Sequence, residues 1–226
     1  MRLARWSCCL ALTAAYGATS LSALTQKDAV AGLREALSRS TTAAIGKLGA
    51  TDGFLGNPEV RIPLPGKLAR AEKTLRMLGL GPKADELVTT MNRAAEAAMP
   101  EAKTLFVDSI KQMSVADAKS ILTGGDDAGT QYFRRAMQDK LSLKFQPIIK
   151  QSTDKLQVAT QFNALAGQAS KLGLVDAKEA TVDSYVTAKA MDGLFLMMAK
   201  EELAIRKDPV ATASKLLQKV YGALQH

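Results

Sequence analysis

Apolar residues recur at three- and four-residue spacing along most of the chain, with polar residues between them, which is the pattern of amphipathic helices. Over residues 25–48, Val30, Leu33, Leu37, Ile45 and Leu48 fall on one side. Leu68, Ala71, Leu75 and Leu78 form a second stripe, and Leu87, Met91, Ala94, Ala95 and Ala98 a third. Pro100 either opens a new helix at its first turn or kinks a longer one, because proline has no amide hydrogen. Leu105, Phe106, Ile110 and Met113 make the next stripe. Ser114 with Asp117 suits a cap before a short helix ending near Leu122.

A long helix is expected over 127–150 on Tyr132, Phe133, Ala136, Leu141 and Phe145, with Pro147 bending its end. Others are expected over 153–172, stopped at Gly173, and over 183–206. The latter contains "MDGLFLMMA", apolar nearly all round and therefore central. Asp208-Pro209 predicts a cap and a first-turn proline for a last helix with Val210, Leu216, Leu217, Val220 and Leu224. No segment alternates convincingly with the period of two that marks a strand. The exception to helix is "TDGFLGNPEVRIPLPGK", residues 51–67, whose glycines and prolines predict an extended or ordered loop. A loop of that length is often functional. The fold class is all-α, a single-domain multi-helix bundle of about eight to nine helices with one long Pro/Gly-containing loop.

The first 23 residues have a different character. Arg2 and Arg5 precede a short apolar run from Trp6 to Ala15, and small residues follow in "GATSLSA", as in a cleaved secretory signal. Domain organisation is then a signal over 1–23 and one helical domain over 24–226, in the periplasm or secreted. The alternative is an uncleaved membrane anchor, although Thr13, Gly17, Thr19, Ser20 and Ser22 dilute the apolar run below that of a good spanning helix. Both cysteines (Cys8 and Cys9) and the one tryptophan (Trp6) lie in this segment, so the mature chain would hold itself together by its core without disulfides.

The successive motifs "GATDGFLGNPEVRIPLP", "LGLGPKADELVTTMNRAAEAAMPEAK", "ILTGGDDAGTQYFRR" and "DGLFLMMAKEE" resemble domain-of-unknown-function family 4197 over nearly the whole mature chain. The resemblance implies exported, mostly helical proteins of Gram-negative bacteria. It supplies no catalytic or binding residue to carry over.

Charge and chemistry narrow the function. The net charge of +8 falls by two without Arg2 and Arg5, a modest excess suited to anionic surfaces. Aromatic rings fall mostly on apolar faces, so stacking platforms for nucleic acid are not expected. His226, the single histidine, is terminal, and the cysteines lie in the signal. Thiol proteases, Ser-His-Asp hydrolases and typical zinc enzymes are therefore excluded on chemical grounds. No cofactor is implied.

What remains is carboxylate chemistry. Asn92 and Glu96 share a helical face, near Asp108, Arg93, Arg134 and Arg135 in the sequence pattern. Glu96 sits among alanines, where burial would suit a general acid, whereas pairing with an arginine would make it structural. Asp192, within the most apolar helix, is expected to be buried and to need a partner, for which Arg134 or Arg135 qualifies. "GGDD" at 124–127 is similar to the start of the diguanylate cyclase signature GGDEF, but Ala128 follows and both flanks are helical. Asp126 and Asp127 are also candidates for a cation site, yet supply few of the oxygens calcium needs. The simpler expectation makes Gly124 a left-handed helix end and Asp126 the cap of the next helix.

Lys67, Arg70, Lys73 and Arg76 recur every three residues opposite the Leu68/Ala71/Leu75/Leu78 side. Such a basic amphipathic helix suits an anionic membrane surface or an acidic envelope protein. The expected role is non-enzymatic binding with association to the envelope, on the 51–67 loop and this helix. The alternatives are a hydrolase-like enzyme using Glu96, Asp108 and Asp192 in an interhelical cleft, or a cation-binding module at Asp126 and Asp127.

Overall fold

Helix length and pairing follow from the apolar stripes. The computed structural model describes residues 25–79, 81–155, 159–160 and 181–223, and they contain helices and no strand. The helices are α1 (Gln26–Gly49), α2 (Gly66–Met77), α3 (Gly81–Gln112), α4 (Val115–Leu122), α5 (Ala128–Thr153), α6 (Val182–Lys207) and α7 (Lys215–Gly222). A short 3₁₀ turn, Val210–Thr212, precedes α7. The expected signal segment and His226 lie outside the described residues, as does most of the expected 153–172 helix with its stop at Gly173.

The expected eight to nine helices are not reached among the described residues. Part of the difference is Pro100, which interrupts nothing: α3 runs through it as one helix. Proline removes a single amide donor, and packing on both sides of the break holds the remaining turns together. α5 likewise runs through Pro147 to Thr153.

The four long helices form a closed ring, α1 against α3, α3 against α5, α5 against α6 and α6 back against α1. Inside it Phe106, Phe133 and Phe195, from three of those helices, meet edge to face. The Phe106 and Phe133 centroids lie 5.1 Å apart, and those of Phe106 and Phe195 6.4 Å. This geometry sets positive ring edges against negative faces, and each fully buried ring adds about 1.5–3 kcal/mol through desolvation. Outside the ring α2 lies on α3, α4 on α1 and α5, and α7 on α1.

Capping accounts for most helix starts. Thr25, Ser114, Thr181 and Ser214 each accept the amide of the residue three further on, and Ser114 with Asp117 makes the reciprocal box. Two expected caps are corrected. Asp208 accepts the Ala211 amide at 3.1 Å and so caps the 3₁₀ turn. That turn ends at Ala213 with a φ of 53°, and α7 starts afresh from Ser214. At the 123–127 joint, Thr123 ends α4 in right-handed geometry. Gly124 is not among the positive-φ residues. Asp127, not Asp126, is the N-cap of α5, and its side chain caps nothing.

Candidate functional site

Between α1 and α2, residues 50–65 form turns and then a stretch without regular secondary structure. Phe54, Val60, Ile62 and Leu64 are buried, while Glu59, Arg61 and Pro63 face outward. The 60–64 stretch thus alternates like a strand without pairing with one. Its partner is a side chain. The Asn92 amide accepts from Ile62 N at 2.8 Å and donates to Ile62 O at 2.9 Å. The same amide also donates to Val88 O at 2.8 Å. Asn92 therefore does for Ile62 what a neighbouring strand would do, satisfying both buried backbone groups.

One turn further along α3, the buried Glu96 carboxylate closes the first half of the segment. Its Oε1 accepts from Phe54 N at 3.0 Å and Leu55 N at 3.2 Å. Its Oε2 accepts from Arg93 Nη1 at 2.7 Å, and Arg93 Nη2 reaches Asp52 at 2.8 Å. The pairing with Glu96, then Asp52, raises the Arg93 pKa. Tyr185 of α6 donates to Pro63 O at 3.2 Å, and Lys200 pairs with Glu59. Gly193 makes room for this packing: a Cβ there would stand 2.7 Å from the Phe54 ring. So Asn92, Glu96 and Arg93 meet, and they fasten a segment to the core.

The other candidates lie apart. Asp192 is exposed, not buried as expected, with its side chain 57% accessible. Its neighbours Met191 and Gly193 turn inward while it turns out, because even an apolar helix has an outer edge at the rim of a ring. Arg134 pairs with it at 3.2 Å and lies 4.7 Å over the Phe195 ring. Arg135 is exposed on α5. Asp108 lines an open groove of about 400 Å³ between α3 and α5 with Ser109, Gln112, Tyr132 and Lys140. Burial, and to a lesser degree the Asp117 charge, raises the Tyr132 phenol. Asp126 is exposed, and Asp127 accepts from Gln131 at 2.8 Å. No group of three His, Cys, Asp or Glu side chains gathers as a metal site among the described residues.

On α2, Lys73 and Arg76 are exposed, while the side chains of Lys67 and Arg70 are outside the described set. Arg76 is committed within the molecule. It bonds Glu72 at 2.9 Å and Asp85 of α3 at 2.6 Å, and its guanidinium holds the Asp85 carboxyl below the usual range. At the end of the helix, Met77 and Leu78 stand 72% and 69% exposed before Gly79 turns the chain at a φ of 75°.

Sequence reasoning missed the most enclosed carboxylate. Glu202 of α6 is 3% exposed. Its Oε1 accepts from Gly129 N at 2.9 Å, and its Oε2 from Thr130 N at 2.8 Å and the Thr130 hydroxyl at 2.9 Å. Arg206 bonds it at 3.0 Å and reaches Ile121 O of α4 at 2.9 Å. The cap that Asp126 does not provide for α5 comes from another helix, and the anion complements the positive helix end. Gly129 is what lets it in, since a Cβ would lie 2.4 Å from Leu37 and 3.0 Å from Glu202. The signal was present: Leu194, Met198 and Glu202 fall every four residues, which puts Glu202 on the buried face.

Tyr221 of α7 completes that corner, with the Arg206 guanidinium 5.5 Å over its ring. Its hydroxyl is buried without a hydrogen-bond partner among the described residues, and burial pushes the phenol up to about 12. An unfolded tyrosine ionises near pH 10, so between those values the unfolded chain has released a proton that the folded chain still holds. Stability is complete below about pH 10 and falls as pH rises toward 12, by about 2–3 kcal/mol for this group. Tyr221→Phe is expected to remove that alkaline loss and leave stability at neutral pH equal or higher. Urea unfolding at stepped pH measures it, and an unchanged alkaline loss in the variant would assign the effect to other groups.

A family model described as "Protein of unknown function (DUF4197)" matches residues 23–222. No curated protein and no solved structure matches the chain.

Proposed function

The chain belongs to the DUF4197 family, and from that premise we propose a non-enzymatic binding protein of the cell envelope that docks through α2 on an anionic surface. The supporting observation is the tip of α2, where Met77 and Leu78 stand exposed in succession at the end of a helix with a lysine- and arginine-rich sequence. Two apolar side chains entering a bilayer interface contribute about 1.5–3 kcal/mol each. Each cation near an anionic surface adds about 1 kcal/mol. Lys67, Arg70 and Lys73 are the cations concerned, since Arg76 is held by Glu72 and Asp85. The sum suits reversible, salt-sensitive attachment, not anchoring.

The 50–65 segment has a supporting part in this proposal. Its apolar side chains face the core, and its outward acids, Asp52 and Glu59, are paired with Arg93 and Lys200. Export rests on the charge and small-residue pattern of residues 1–23. No helix among the described residues is long and apolar enough to cross a membrane. An acid–base enzyme is favoured less, because Glu96 is engaged by two amides and Arg93 while Asp192 and Asp108 lie on separate surfaces.

The purified protein is expected to sediment with vesicles containing phosphatidylglycerol at low salt, and added salt is expected to release it. A Met77→Ser, Leu78→Ser double variant should lose at least about tenfold in vesicle affinity, the equivalent of one side chain's burial. Equal recovery on neutral and anionic vesicles at low salt would overturn the proposal.

A further inference from the structure

The two apolar side chains at the tip of α2 differ in chemistry: Leu78 is inert, whereas Met77 carries a thioether. Of the nine methionines, Met1 lies outside the described residues, seven from Met91 to Met198 are at most 9% exposed, and Met77 is 72% exposed. Those seven belong to the hydrophobic core, where an oxidant reaches sulfur only if the helices open. Met77 is the last residue of α2 and needs no such opening. No cysteine follows Cys9. Over the rest of the chain thioethers are therefore the sulfur groups that meet oxidants, and among the described ones Met77 alone is open to solvent.

Oxidation at this position changes one property and spares the others. Met77 stands outside the core, so an added oxygen displaces nothing and the ring of long helices keeps its packing. The sulfoxide converts a flexible apolar side chain into a polar one. Beside Leu78 it breaks up the apolar tip, and the contribution of one buried side chain to attachment is lost. The charges stay as they were, with Arg76 still held by Glu72 and Asp85. What remains of the attachment is electrostatic, and therefore more readily screened by salt.

We propose that Met77 is an oxidation site that regulates the docking of α2: a peroxide converts its thioether to the sulfoxide and releases the protein from the anionic surface. This inference rests on the docking reading given above. In the forward step a sulfur lone pair attacks one peroxide oxygen, the O–O bond breaks, sulfur loses two electrons to the peroxide, and water leaves. In the reverse step a methionine sulfoxide reductase removes that oxygen as water while a pair of thiols is oxidised to a disulfide, which restores the apolar tip.

Limited treatment of the purified protein with hydrogen peroxide tests this, with peptide mass spectrometry to score each methionine and sedimentation with phosphatidylglycerol vesicles to read docking. Met77 sulfoxide is expected to form at least about tenfold faster than sulfoxide at any of the seven core methionines. Vesicle affinity should fall at least about tenfold, with release at lower salt and an unchanged thermal midpoint. Methionine sulfoxide reductases with dithiothreitol should restore it. Met77→Leu, whatever its starting affinity, should keep that affinity through the same treatment. Oxidation of core methionines ahead of Met77 overturns the proposal, as does an equal loss of affinity in Met77→Leu. Binding that survives complete oxidation of Met77 overturns the regulation and leaves the docking reading standing. An untreated protein that ignores anionic vesicles overturns the docking reading, and the regulation with it.

Discussion

Glu202→Ala is expected to cost about 3–5 kcal/mol, the range for breaking a buried ion pair by deleting one partner. The carboxylate simultaneously takes two amides of α5, the Thr130 hydroxyl and the Arg206 guanidinium. Removing it takes the Glu202 carboxylate from Arg206, whose side chain is 10% exposed, and leaves the first turn of α5 uncapped. Domains of this size have about 5–15 kcal/mol in total, so the variant should sit near its unfolding threshold. Urea denaturation gives the number, with the slope expected to stay constant. Glu202→Gln keeps the shape but sets its NH₂ against donors, so it should recover little. Because Glu202 and Arg206 bond each other directly, Arg206→Met added to Glu202→Ala should cost less than the sum of the single changes. A loss under about 1 kcal/mol for Glu202→Ala would remove Glu202 from the account of how these helices join.

Asn92→Ala is expected to act locally as well as globally. It leaves both backbone groups of Ile62 without their partner, at about 1–3 kcal/mol for each buried group that water cannot reach, while the Val88 carbonyl keeps its place in the α3 ladder. A total of roughly 2–4 kcal/mol follows if the segment relaxes enough to solvate part of the set. That relaxation has its own readout. The bond after Arg61 is a trypsin site in a segment now clamped on both sides, and it should be cut at least about tenfold faster in the variant. The amide of Ile62 should exchange faster by a similar factor, while those inside α5 keep their ratio to global stability. Unchanged cleavage after Arg61 would mean that Glu96, Tyr185 and the buried apolar side chains hold the segment without Asn92.

These two residues mark what the sequence discloses and what it hides. The stripes of α1, α3, α5 and α6 were readable because a long helix repeats its burial pattern many times, so a single irregular position does no harm. The all-α class rests on that repetition. Pro100 was ambiguous because its effect depends on packing on either side, which is not local. Asp192 was misplaced for a related reason: neighbours in sequence are a hundred degrees apart on a helix, and "MDGLFLMMA" conceals one outward position. The joint at 123–130 misled because nearby aspartates looked sufficient as a cap, whereas the cap arrives from 72 residues away. Asn92 and Glu96 were legible as a pair on one face, but their partners are backbone amides, which every residue possesses and no sequence pattern advertises. The alternation of Val60, Ile62 and Leu64 was too short to stand out among prolines, though it marks the inward side chains correctly.

The closed ring of long helices has a bearing on assembly. α1 comes first in the described chain and α6 late, yet they are neighbours. Until α6 arrives, α1, α3 and α5 form an open trough lined with leucine, methionine and phenylalanine, with the α5 amides of Gly129 and Thr130 still awaiting Glu202. The seam therefore depends on distant parts of the polypeptide meeting, which delays the productive transition relative to a bundle of hairpins. A chain whose trough is still open exposes apolar side chains, and such surface promotes aggregation. Yield on refolding should accordingly fall with protein concentration more steeply than final stability would suggest.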